Sequence, residues 1–238
     1  SNKHSRFGKI FVKSGVVFGV VASILVAFPT GDWAAKNVVK HQPATFAAME
    51  GIFETEKGGS EIVLIGQPDM ENKKLDNKIA VPNILSFLTY QRWDAEIKGL
   101  NEFDESIHPT NVPGLYYGYH IMVGLGTIFI GIMVLAAFLL WKGRLYKTKW
   151  LLWILMFMIP FPYIANTAGW YTAELGRQPW LVYNLMRMVD GVSPTVSSGN
   201  TLFTLLGFVG LYLLLGLLFL LLVLKIIRKG PEAKIALK

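Results

Sequence analysis

Cysteine is absent from the 238 residues, which excludes disulfides, thiolate metal sites, c-type haem attachment and cysteine nucleophiles. Charge is scarce: Asp, Glu, Lys and Arg make up 16% of the chain, against about 25% in soluble domains. There is no internal repeat and no low-complexity tract. Without repeated halves or a pair of broken helices, a transporter is a weak reading.

Apolar residues are plentiful, at 53% of the chain, and mean hydropathy is positive. They gather in four runs, about Ile10 to Phe28, Tyr116 to Trp141, Trp150 to Trp170 and Thr201 to Ile227. Each reaches the roughly 20 residues that a helix needs to cross a hydrocarbon core, where unsatisfied backbone is too costly. Lys13 is tolerated near the start of the first run because its stem can snorkel toward the headgroups. That run shows no small-residue cleavage pattern and leads into a long loop, so it reads as a span rather than a signal peptide. The chain opens on Ser1, without an initiator methionine, which points to a piece of something longer.

Net charge is +7, and its distribution decides what the excess means. The N-terminal end, the loop between spans two and three and the tail together carry thirteen Lys and Arg against one acid, Glu232. The two other connections hold ten basic and fifteen acidic residues. Basic loops stay in the cytoplasm, so both termini are expected inside. The pattern is an orientation device in the bilayer, not a nucleic-acid footprint.

The expected fold is an all-α integral membrane protein with four transmembrane helices, N-in and C-in. The segments are 1–28 (basic stub and first span), 29–114 (outer loop), 115–141, 142–149 (inner loop), 150–175, 176–200 (outer connection), 201–227 and 228–238 (inner tail). A loop as long as 29–114 is expected to have structure of its own. Pro43 suits the first turn of a short helix to about Glu54. The run Ile62 to Pro68 reads as an extended piece ending in a turn. The loop's many carboxylates are mostly solvated, but Glu50 follows an apolar stretch and is placed at the membrane face.

Span two opens with Tyr116, Tyr117, Tyr119, His120 and Met122. Aromatic residues at that depth are normally interfacial anchors, and a methionine in a span is ordinarily packing filler. An ionisable residue in a span is a functional candidate by default, and His and Met are both axial haem ligands. At positions i and i+2 they face different directions and cannot serve one iron from this helix. At the end of span three Glu174 and Arg177 stand at i and i+3, spaced for an ion pair. That pair is either a helix-ending interfacial contact or a carboxylate placed to ligate haem or relay protons. Trp170 and Trp180 bracket it and are candidates to line an apolar cofactor pocket.

The run GWYTAELGRQPW (Gly169 to Trp180) resembles a signature of the large haem-bearing subunit of cytochrome bd-type quinol oxidases. The resemblance continues through FPTGDWAAKNVVKHQPATFAAMEG, IGQPD, PGLYYGYHIMVGLG and SPTVSSG, in order, and fits only the C-terminal half of that subunit. It implies that 29–114 is an extracytoplasmic quinol loop with Glu50 as its acidic residue. It also implies that Met122 ligates the low-spin haem b, and that Glu174 ligates one of two high-spin haems, b or d, near Trp170 and Arg177. The implied reaction oxidises ubiquinol or menaquinol at the outer face and reduces oxygen to water with protons from inside. A bacterial or archaeal plasma membrane, an N-terminal half supplying the other ligands, and subunit II as a partner follow from the same resemblance.

Two positions depart from the pattern. Thr45 stands where a lysine is often found, so either the quinol contacts differ or Lys36 or Lys40 supplies them. His120 stands near the low-spin haem in place of an arginine, and imidazole holds its charge less dependably than guanidinium; an alternative makes His120 a ligand itself. The rival to an oxidase part is a non-catalytic membrane fragment or quinol-binding module that assembles with an oxidase.

Overall fold

The computed structural model describes residues 2–229. The tail from 230, with Glu232, Lys234 and Lys238, lies outside the described residues. The chain is mostly helical, and four helical stretches are long and apolar enough to cross a membrane: Ser5–His41, Val112–Trp141, Lys149–Arg177 and Ser198–Lys229. It divides into two compact units, one running from Val12 to Gly191, the other made of the N-terminal residues to Phe11 and the chain from Val192.

Helix α1 (Asn2–Leu25) does not run straight to the expected end at Phe28. A widened turn, Val26–Gly31, follows, in which Phe28 takes extended angles (φ −133°, ψ 127°). Pro29 explains the break: it disfavours helical angles in the residue before it and brings no N–H. The chain resumes as α2 (Asp32–His41) and, after Gln42, as α3 (Pro43–Glu50). The expected short helix therefore starts at Pro43 but stops at Glu50, because Gly51 takes a left-handed conformation (φ 74°) that caps it. Seven of its eight residues are buried. Ala44, Ala47 and Ala48 let it pack closely beside Leu115 and Val112 in one apolar cluster.

The loop's extended piece is strand β1 (Ile62–Asp69), paired antiparallel with β2 (Lys74–Val81). The fold is thus not wholly helical. The hairpin turn is held by the Asp69 carboxylate, which accepts from the backbone N–H of Glu71 and Asn72 at 2.9 and 3.0 Å. The Asn72 amide donates to the same carboxylate and, with the backbone bonds, holds its pKa below the usual range. Gly66, in the IGQPD run, is where the hairpin meets span two: a Cβ there would come within 2.9 Å of the Tyr116 hydroxyl. Helix α4 (Ile84–Tyr90) follows, and Ser86 ties it to the loop by accepting from Ser60 N–H at 2.7 Å.

Helix α5 (Val112–Trp141) is capped by Asn111, whose side chain accepts from Gly114 N–H at 2.9 Å. Thirty residues at about 1.5 Å each exceed the hydrocarbon thickness. The third span is two helices, α6 (Lys149–Phe157) and α7 (Phe161–Arg177). Pro160 and Pro162 separate them, since neither can donate into a continuous ladder. Near the basic loop, Val16 of α1, Ala136 of α5, Leu145 and Leu151 form a second apolar cluster. A small hairpin, β3 (Trp180–Val182) with β4 (Met186–Arg187), follows α7. Helix α8 (Ser198–Lys229) buries none of its residues, as suits a leucine-rich helix that meets lipid or another chain.

Helices α5 and α7 meet through small residues. Gly118 lies against Thr172, and Gly176 lies against Thr45 and Leu115. The Thr45 hydroxyl donates to the Gly176 carbonyl at 2.8 Å in a buried setting. That carbonyl belongs to the last turn of α7, where no intrahelical donor is left. Thr45→Val, nearly the same shape, should therefore lower stability by about 1–3 kcal/mol. Thermal unfolding in detergent measures it, and an unchanged midpoint would mean that water replaces the hydroxyl.

Candidate functional site

Helices α2, α3, α5 and α7 wall a cavity of about 1020 Å³. Most of its lining is apolar, and its charged groups are Asp32, Lys36, Glu50 and Arg177. A large apolar cleft with a few convergent polar groups is the usual form of a small-molecule or cofactor site.

Glu50 is 2% exposed and sits at the end of α3. The left-handed turn at Gly51 brings the backbone so near Tyr116 that a Cβ there would lie 2.8 Å from the ring. That close approach places the Glu50 carboxylate beneath α5, where Oε1 accepts from the Tyr119 hydroxyl at 2.5 Å. Burial pushes the Glu50 carboxyl from 4.5 up to about 7, with the tyrosine hydrogen bond pulling the other way. A carboxyl there can take or give a proton near neutral pH.

Met122 follows Tyr119 by three residues, hence on the same face of α5, and both line the cavity. Across from it α7 presents Gly169, where a Cβ would come within 2.6 Å of the Met122 sulfur. The glycine at the head of the GWYTAELGRQPW run thus makes room for the methionine. Among the candidate cations, Lys36 lines the cavity and pairs with Asp32 at 2.7 Å, whereas Lys40 is exposed and does not line it.

Glu174 and Arg177 form the ion pair that their spacing suggests. Arg177 reaches the cavity wall, but Glu174 does not. Trp170 precedes Glu174 by four residues on the same face of α7 and is 63% exposed. The two candidate iron ligands therefore open on different spaces, Met122 on the cavity and Glu174 on the outward face of α7. Neither Trp170 nor Trp180 lines the cavity; Arg187 stacks over the Trp180 ring, 5.3 Å from its centroid.

Both ring nitrogens of His120 face backbone carbonyls, Nδ1 that of Tyr116 at 2.9 Å and Nε2 that of Val63 at 3.1 Å. The ring lies over Tyr116, with centroids 3.9 Å apart. His120 thus fastens span two to the loop hairpin. Tyr116 and Tyr119 are not the interfacial anchors that their depth suggests, whereas Tyr117 is exposed. Tyr116 is 1% exposed, packed between α3 and the hairpin, and Tyr119 turns to Glu50. The folded loop 29–114 covers Tyr116 and Tyr119, and nothing local in the sequence signals it.

The donor set fits haem better than a bare metal ion. No group of three His, Cys, Asp or Glu gathers among the described residues. A porphyrin brings its own equatorial ligands and asks the protein only for axial ones. Met122, a single thioether on a mostly apolar cavity, and Glu174, a single carboxylate beside Arg177, suit that need.

Comparison with known proteins gives a consistent result. The family model for cytochrome bd terminal oxidase subunit I matches residues 1–231. Cytochrome bd ubiquinol oxidase subunit 1 of Bacillus subtilis is 33% identical over 97% of this chain and 51% of its own length. Cytochrome bd-II ubiquinol oxidase subunit 1 of Escherichia coli is 23% identical over 92% of this chain and 55% of its own. The solved bd oxidase from Geobacillus thermodenitrificans superposes with a TM-score of 0.70 at 30% identity, covering 93% of this chain and 49% of that one. The chain spans about half the length of the relatives it matches. With its four apolar spans it is a multi-pass membrane protein, and haem iron is the cofactor expected for the family it matches. A matched family model along nearly its whole length, a shared fold and a run of shared motifs make it a member of the cytochrome bd terminal oxidase subunit I family.

Proposed function

We propose that this chain is the C-terminal half of the haem-bearing subunit of a bd-type quinol oxidase, and that its loop 29–114 oxidises quinol at the outer membrane face. The observation that carries this reading is Glu50, a buried carboxyl near neutral pKa on the wall of the cavity that Met122 also lines. The basic residues on the opposite side of the spans support N-in, C-in orientation and an outward-facing loop.

In this reading a ubiquinol or menaquinol ring enters the cavity with one hydroxyl toward Glu50. The carboxylate accepts the hydroxyl proton and passes it on to the outer side. Lys36, held by Asp32, offers a cation at another part of the wall for a quinone oxygen. Met122 would hold the low-spin haem b through its thioether, whose sulfur packs beside Gly169. Glu174, braced by Arg177 and flanked by Trp170, would hold a high-spin haem, b or d, on the other face. His120 keeps the hairpin against the helix that carries Met122. When bound, the haems supply electron transfer and the reduction of oxygen to water. The remaining ligands would come from the N-terminal half, with subunit II completing the assembly in a bacterial or archaeal plasma membrane.

The test is to express the chain with an N-terminal half and subunit II in a host without other terminal oxidases. Quinol-dependent oxygen uptake and haem bands in the reduced-minus-oxidised spectrum are expected. A colourless, inactive assembly would leave the chain a non-catalytic membrane module.

A further inference from the structure

Tyr119 carries a polar group that the proposed reaction does not use. Its hydroxyl comes from α5 and meets a carboxylate from α3 that is 69 residues away in sequence. The hydroxyl donates to that carboxyl at 2.5 Å. It occupies Oε1 of Glu50, and no other hydrogen bond to that carboxyl occurs among the described residues. The other charged groups on the cavity wall are engaged elsewhere: Asp32 with Lys36, and Arg177 with Glu174. A phenylalanine would fill the same space on α5, so the hydroxyl's contribution is its hydrogen bond to Glu50.

We propose that Tyr119 is a positioning residue for quinol oxidation, holding Oε1 of Glu50 so that Oε2 is presented to the quinol hydroxyl in the cavity. This rests on the quinol-site reading. The step it serves is a proton transfer: the quinol O–H bond breaks, a bond from Oε2 to that hydrogen forms, and the Tyr119 proton stays on its own oxygen. The hydrogen bond also opposes the burial that raises the Glu50 carboxyl, keeping more of it ionised to receive the proton.

The experiment compares wild type, Tyr119→Phe and Glu50→Gln in the assembled oxidase, with rates normalised to haem. In Tyr119→Phe, kcat should fall about tenfold, the effect of one lost hydrogen bond to a charged group, while KM for quinol stays unchanged. In infrared difference spectra the carboxyl band that Glu50→Gln removes should shift in Tyr119→Phe. Unchanged kcat with an unshifted band overturns the proposal, as does a rise in KM alone, which would make Tyr119 a substrate contact. If Tyr119→Phe does not assemble, 3-fluorotyrosine at this position, a stronger donor of nearly the same size, must shift the band instead; an unshifted band is again decisive against it. A wild type without quinol-dependent uptake sinks the quinol reading and this inference together. A dead Glu50→Gln beside a wild-type-like Tyr119→Phe sinks the inference alone.

Discussion

Glu50→Gln lowers quinol-dependent oxygen uptake of the assembled oxidase by about 10²–10⁴-fold, the range lost with a positioned proton acceptor. Glutamine keeps the size and an oxygen for Tyr119 but cannot take the proton. The pH profile gives a second measure. Glu50 accepts a proton only when ionised, and its carboxyl stands at about 7. Uptake in the wild type should therefore climb as pH rises through about 7 and then level, a limb that Glu50→Gln flattens. Stability runs the opposite way. The folded chain holds this proton to higher pH than the unfolded chain, whose carboxyl ionises near 4.5. The stabilisation linked to that proton is full below about 4.5 and is lost as pH rises through about 7. Above that pH the charge is buried at a cost on the order of 3 kcal/mol, which Glu50→Gln avoids. The variant should thus be slower and, at alkaline pH, more heat-resistant; a variant as pH-sensitive in unfolding as the wild type contradicts the burial argument.

On the haem-ligand reading, Met122→Leu should remove the low-spin haem signal from the reduced-minus-oxidised spectrum, or convert it to a high-spin one, and turnover should collapse with it. Leucine is close in volume to methionine, and the exchange in a packed site costs less than about 1.5 kcal/mol. What disappears is the sulfur, which packs beside Gly169. Glu174→Gln should leave that band in place and alter the high-spin bands, because Glu174 faces away from the cavity that Met122 lines. Both variants read out as pigment as well as activity. A Met122→Leu enzyme with an unaltered low-spin spectrum would move the axial ligand elsewhere.

Much of this was legible in the sequence because membrane physics is local. Each span announces itself through a run of apolar residues, and the Glu174–Arg177 pair through helical spacing alone. The bends were less visible. Pro160 lies in an apolar run that reads as continuous, and Pro29 directly follows the run that ends at Phe28; their missing N–H and restricted neighbours break the helices there. The hairpin β1–β2 was half visible, since Ile62 to Pro68 reads as extended while its partner Lys74–Val81 is too polar to announce a strand. Tyr119 was misread for the same reason as Tyr116: depth along the helix suggests an interfacial ring, but the folded loop covers that end of the helix.

By itself the sequence determined the four spans, their charge asymmetry and the residue types at the outer ends, because each depends on a short stretch meeting lipid or water. It also carried the motifs that place the chain in its family. Only the tertiary structure decided what those residues face. Gly51, Gly66, Gly169 and Gly176 each sit where a Cβ would collide with a segment distant in sequence. Those close approaches bring α3 under α5 and put Glu50, Tyr119 and Met122 around one cavity, while Glu174 stays off its wall. Contacts between residues tens of positions apart have no periodic signature along the chain, so their pairing emerges only when the helices pack.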